Sequence, residues 1–151
     1  MEFKSIFNKV NFAERYRVLC DTYQDFDNRL RGTHNSIYKS VLGKLTQQNK
    51  YYSNGNFYQI ISTIDRYEFR LNLVLKDGFV EALLYILIDN NPIIPQGRFD
   101  FLSEDLNIPF ERKRFNLPIY GTEKELENIL KEILLIQEDL KREILRNKKT
   151  T

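Results

Sequence analysis

The chain has 151 residues, 42% hydrophobic and 29% charged, which fits one ordinary domain with its own core. Lys and Arg outnumber Asp and Glu by only 23 to 21, so the total charge does not mark a dedicated polyanion binder. A single cysteine, Cys20, and a single histidine, His34, exclude an intramolecular disulfide and the usual zinc and iron constellations.

The opening MEFKSIFNKV lacks the basic and continuous apolar regions of a signal peptide. The longest apolar run, Ala82 to Ile88, is far shorter than the roughly 20 residues a membrane helix needs. A soluble, cytoplasmic protein with no membrane association is the expectation.

From residue 3 to about 31, apolar residues recur at spacings of three and four (Phe3, Ile6, Phe7, Val10 and on to Phe26 and Leu30). That spacing predicts one helical face, with a break near Asn11. RGTHN at 31–35 is a turn from which Thr33 or Asn35 can cap a second helix, which carries Ile37, Val41, Leu42 and Leu45 and fades near Gln48. SNGN at 53–56 closes the helical part. FYQIISTI then reads as a strand, ended by a bend at Asp65 and Arg66.

Two further strands, YEFRLNLVL and FVEALLYILI, meet at Asp77-Gly78. That dipeptide signals a two-residue hairpin turn, because both of its positions need positive φ. Opposed positions then sum to 155. One face pairs Leu75 with Val80, Leu73 with Ala82, Leu71 with Leu84, Phe69 with Ile86 and Tyr67 with Ile88, all apolar, and is therefore the core face. A slip of one residue would mix in Glu68, Arg70 and Lys76, so the pattern fixes the register. Arg66 falls opposite Asp89 as a cross-strand ion pair.

Residues 90–118 are less regular. Pro92 and Pro95 exclude a central strand there. RFDFLSEDLN reads as a short helix or a strand and turn, and FERKRFNLPI as a last strand. After Gly121, Thr122 and Glu125 form a capping box, and Leu126, Ile129, Leu130, Ile133, Ile136, Leu140 and Ile144 trace one stripe of a long helix. Glu127 with Lys131 and Glu138 with Arg142 stand four apart as supporting pairs, and Arg146, Lys148 and Lys149 suit the helix end. The expected fold is α+β: N-terminal helices, an antiparallel β-meander of three to four strands, and a long C-terminal helix packed on the sheet. It forms a single domain, 1–151, with a helical part at 1–50, a sheet part at 57–119 and the final helix at 122–147.

The second face of the hairpin pairs Lys76 with Phe79, Val74 with Glu81, Asn72 with Leu83, Arg70 with Tyr85 and Glu68 with Leu87. It is too apolar for simple solvation and too charged for a dry core. Either residues 90–118 cover Leu83, Tyr85 and Leu87, which is the more economical reading. Or the face is open, and Arg70, Phe79, Leu83, Tyr85 and Leu87 form a partner-binding surface.

Chemistry is harder to find. Asp21 and Asp25 would share a helix face and stand near Asp27, and a carboxylate-only metal site could draw on this group or on Asp65, but a solvated acidic face explains the group better. Cys20 and His34 read as a structural thiol and a turn residue rather than a nucleophile and base. Asp77 and Glu81 lack a lysine where a paired-carboxylate nuclease would need one, since Leu83 stands there. No phosphate-binding glycine loop and no nucleophile elbow occurs. Arg112, Lys113 and Arg114, with Arg98 and the RNKKTT tail, form the one basic cluster that could contact nucleic acid.

The expectation is a non-catalytic protein-binding module without cofactor or metal. In outline it has the form of a bacterial immunity or inhibitor protein that neutralises one cognate partner, a class-level analogy with no family motif behind it. A nucleic-acid-associated protein and a carboxylate-only metal-dependent hydrolase are the alternatives, and a homodimer stays open.

Overall fold

The computed structural model describes residues 2–148, and the side chain of Lys148 and residues 149–151 of the basic tail fall outside the described residues. Three helices come first: α1 (Phe3–Lys9), α2 (Phe12–Thr22) and α3 (Asn35–Leu45). Six strands follow, β1 (Asn49–Tyr52), β2 (Phe57–Ile64), β3 (Tyr67–Lys76), β4 (Phe79–Ile88), β5 (Asn91–Pro92) and β6 (Gly97–Arg98), and then α4 (Phe99–Glu104) and α5 (Glu123–Lys148). The strands form one antiparallel sheet in the order β1-β2-β3-β4-β5, with β6 also on β4. The α+β architecture is the expected one.

The hairpin register is the predicted one at all ten pairs, from Lys76 opposite Phe79 to Tyr67 opposite Ile88. Asp77 and Gly78 both take positive φ, 54° and 82°. Burial then alternates strictly along β3, and the core face is dry from Tyr67 to Leu75 and from Val80 to Ile86. The helices lie on that face. Tyr38 of α3 packs edge-on against Tyr58 of β2 and Tyr120, and Lys141 of α5 reaches the ring of Phe69. The whole predicted stripe of α5, Leu126 to Ile144, is buried.

Capping follows the sequence with one difference. The Glu125 amide donates to Thr122 Oγ1 at 3.1 Å, but the Glu125 carboxylate accepts from the Gly121 amide at 2.8 Å, one residue earlier than in the standard box. The pairs four apart on α5 are replaced by pairs three apart: Lys124 with Glu127, Lys141 with Glu138, and Arg142 with Asp139. Both spacings bring side chains together on a helix surface, so the local neighbours compete. Arg66 pairs with Asp89 as expected.

Four other expectations are corrected. The first helix ends at Thr22 rather than near 31, and Asn11, at φ 57°, divides it into α1 and α2. The chain from Tyr23 to Arg31 runs irregularly instead, because its backbone groups bond to distant segments. The second helix starts at Asn35 with no side-chain cap from Thr33 or Asn35. The sheet begins at Asn49, not 57, since SNGN closes a hairpin between β1 and β2. Residues 112–116 form turns and bends, and the expected last strand is reduced to one bridge, Ile119 with Phe79.

The irregular segments grip the hairpin turn. The Asp77 amide donates to the Gly32 carbonyl at 2.9 Å, and Asp77 Oδ1 accepts from the Gly32 amide at 3.0 Å. The Tyr120 amide donates to Gly78 O, the Leu30 amide to Tyr120 O, and the Ile119 amide to Tyr23 O, at 2.8–2.9 Å. A Cβ at Gly78 would sit 2.5 Å from Arg29 Cβ on a backbone that already favours glycine. Gly78→Ala therefore combines left-handed strain with a clash and should destabilise by about 2 kcal/mol or more, read as a lower urea midpoint at unchanged slope.

Candidate functional site

The second sheet face carries no helix. Its residues run in rows across the strands: Tyr52, Phe57, Val74 and Glu81; Lys50, Gln59, Asn72, Leu83 and Arg98; Ile61, Arg70 and Tyr85; Thr63, Glu68, Leu87 and Pro92. None of them is buried. Leu83, Tyr85 and Leu87 are each half-buried on it. The 90–118 segment runs along the outer edge of β4 and places Pro92 beside Leu87 and Arg98 beside Leu83, and Ile119 just after it stands beside Phe79. Phe99, Leu102 and Leu106 turn the other way, with Phe99 on Phe12 and Tyr16 and the two leucines in the core, whereas Ile94, Phe101 and Ile108 stay exposed.

The open face is divided by a polar centre. Gln59 Nε2 donates to Asn72 Oδ1 at 2.9 Å, and Arg70 bonds Glu68 along its own strand. On one side stands the stacked pair Tyr52 and Phe57, 5.0 Å between centroids. On the other runs the part-exposed column Leu83, Tyr85 and Leu87. At the hairpin end, Val74, Lys76, Phe79, Glu81 and Leu117 line a hollow of about 240 Å³. Beyond Phe79 lies Phe26, 52% exposed, with the Arg29 guanidinium 3.8 Å from its ring centre.

Arg98 is the best-anchored cation at this face. Its Nε and Nη2 each donate to one oxygen of Asp100 at 2.7 Å, and Asp100 is fully buried. The Phe101 ring lies 4.8 Å from Arg98 and 4.6 Å from Arg112, which also bonds Glu104. Two residues of the predicted basic cluster thus meet at Phe101. Lys113 and Arg114 are exposed, with Arg114 over Phe115 at 5.0 Å, and the hollow they line also carries Glu104 and Glu111.

The other candidates are dispersed. Because α2 ends at Thr22, Asp21 and Asp25 share no helix face, and Asp25 accepts from Asn28 instead. Among the described residues, no group of three or more His, Cys, Asp or Glu side chains is placed to hold a metal ion. His34 Nε2 bonds the Arg31 carbonyl at 2.7 Å, whereas Cys20 is buried beside Tyr16. Burial pushes the Cys20 thiol up to about 12, against partial relief from the Tyr16 hydroxyl. Burial raises Tyr58 to about 12 as well, and Tyr16 and Tyr120 also lie above their ordinary range through burial.

Sequence reasoning missed Asp100 and Phe101, whose roles depend on α4 following directly on β6. The alternation of R-F-D-F was their only signal. No family model matches the chain, and comparison with curated proteins and with solved structures returns no match.

Two outcomes test this geometry. Leu83→Asp should keep cooperative unfolding with a loss of about 1 kcal/mol, whereas Leu84→Asp, one residue along and buried, should abolish the fold. The raised thiol and phenol groups bind more protons folded than unfolded above their ordinary pKa values. Their stabilisation is present below about pH 9 and is lost as pH rises toward about 12. The thermal midpoint should fall steeply across that window, and Tyr58→Phe should flatten the fall.

Proposed function

We propose that this chain is a non-catalytic protein-binding module whose open sheet face, centred on Leu83, Tyr85 and Leu87, takes one protein partner. The observation that carries the reading is the half-apolar sheet face, on which Leu83, Tyr85 and Leu87 stand half-buried outside the core. Arg70 and Phe79 border the column, and Arg, Tyr and Phe at the edge of an apolar patch are the residue types that anchor protein interfaces. A small single-purpose domain of this kind suits an inhibitor or immunity protein that neutralises one cognate partner, in a bacterial cytoplasm where the lone Cys20 thiol stays reduced.

Nucleic acid is the weaker reading. Residues 49–120, which hold the sheet and the basic cluster, carry eight Lys and Arg against nine Asp and Glu. Arg98 and Arg112 are already engaged by Asp100 and Glu104. That balance gives little net attraction to phosphates.

The test is affinity capture from the host with the full chain, with Tyr85→Ala and with Leu83→Asp. The reading predicts one protein retained by the unaltered chain and lost by at least tenfold in both variants. Capture should change little between about 0.1 and about 0.5 M salt, since a face of paired charges releases few counterions. A nucleic-acid cargo released by salt, or a protein retained equally by all three chains, contradicts it.

A further inference from the structure

Two hairpin turns of this chain carry a short polar residue before a glycine, and the fold treats them oppositely. Asp77-Gly78 joins β3 to β4, and Asn54-Gly55 lies in the turn between β1 and β2. Both glycines take positive φ, 82° at Gly78 and 102° at Gly55. Such a dipeptide is also reactive. The glycine's backbone nitrogen can reach the side-chain carbonyl carbon of the residue before it, and no Cβ shields that nitrogen.

Around Gly78 the approach is closed. Gly78 is buried, with Arg29 and Leu30 packed on it, and its carbonyl accepts from the Tyr120 amide. The backbone amide and the carboxylate of Asp77 are both tied to Gly32.

Around Gly55 the approach is open, since Asn54 and Gly55 are both exposed. Two bonds close this turn, from the Asn56 amide to Ser53 O at 3.3 Å and from the Tyr51 hydroxyl to Asn56 Oδ1 at 2.7 Å. Neither involves Asn54 or Gly55. Among the described residues, the Asn54 side chain and the Gly55 N–H have no hydrogen-bond partner. Asn35, which precedes the small Ser36, is held by contrast, because its Oδ1 accepts from the Tyr58 hydroxyl at 2.9 Å at the start of α3.

We propose that Asn54 is a site of spontaneous deamidation, at which the folded chain loses an amide and gains a carboxylate. The Gly55 nitrogen, its proton taken by hydroxide or a buffer base, attacks Asn54 Cγ. The new N–Cγ bond closes a five-membered imide, the Cγ–Nδ2 bond breaks, and the amide group leaves as ammonia with a proton from solvent. Water then opens the imide at either carbonyl, giving aspartate or its β-linked isomer. Water enters and ammonia leaves, so the sequence needs no oxidant or reductant. The change falls beside the stacked pair on the second sheet face. A Cβ on Gly55 would stand 3.2 Å from the Phe57 ring, so the turn backbone lies against the ring that stacks on Tyr52. The β-linked form lengthens that backbone by one carbon, and both forms add a negative charge to the turn. This inference stands apart from the protein-binding reading of the face.

The test follows intact mass and peptide maps of the full chain over weeks at mildly alkaline pH. The expected result is the mass gain of an NH2-to-OH exchange, mapped to position 54 as both aspartate and the β-linked isomer. Asn54→Gln should slow the gain by about tenfold or more, because the longer side chain presents its carbonyl less favourably to the attacking nitrogen. Asp77→Asn places the same dipeptide in both turns, with a residue that accepts positive φ. In that folded variant position 54 converts and position 77 does not, whereas both convert in guanidinium chloride. No mass gain, or one equal in the unaltered chain and Asn54→Gln, overturns the site. Conversion of position 77 as fast as position 54 in the folded variant, or its absence in guanidinium chloride, overturns the protection assigned to the grip on Gly78.

Discussion

The register of one hairpin decides the rest of the molecule. Ten pairs between β3 and β4 place Tyr67, Phe69, Leu71, Leu73 and Leu75 of β3 on one side, and the turn that sets the register is held by its own positive-φ residues and by Gly32, Leu30 and Tyr120. Moving the register by one residue would turn Glu68, Arg70 and Lys76 into the core, at a cost of several kcal/mol for each unpaired charge. The core face can therefore exist only one way up. The helices, including the full buried stripe of α5, must collect on that side.

The second face is the consequence of that commitment. A β-sheet with all its helices on one side leaves the other to solvent, and an antiparallel sheet tolerates this when the outward residues are polar. Here β3 conforms, with Glu68, Arg70 and Asn72 outward, but β4 does not, with Leu83, Tyr85 and Leu87 outward. Those three residues stand half-buried outside the core, and they are the ones the proposed recognition role draws on. The charges around them are paired within the chain, Arg70 with Glu68 and Arg98 with Asp100, which favours a partner recognised by shape over one drawn by charge.

The hairpin, its register, the Arg66–Asp89 pair, the Thr122 cap and the stripe of α5 were legible because each rests on a local or strictly periodic signal. The mixed face was legible as a pattern, but whether it was covered was not. Its answer depended on where residues 90–118 run, and prolines and short apolar pairs do not encode a direction. The early end of α2 was hidden because Tyr23, Phe26 and Leu30 keep helical spacing while serving other ends. Tyr23 and Leu30 pack against the core from irregular backbone, and Phe26 meets Phe79 and Arg29. β1 was missed because NKYY is four residues long and gains its strand character only from pairing with β2. The Arg98–Asp100–Phe101 arrangement was missed for a related reason, since a buried carboxylate is visible only once α4 has carried it into the interior.

The central claim is that a protein occupies the column on β4, and its most direct measurement is photo-crosslinking in the host. A crosslinking amino acid is placed at Tyr85 and, as a control on the helical side, at the exposed Lys39 of α3. The account predicts one dominant protein adduct from position 85 that is absent from position 39. No adduct at 85, a nucleic-acid adduct there, or the same protein crosslinked equally from both positions would contradict it.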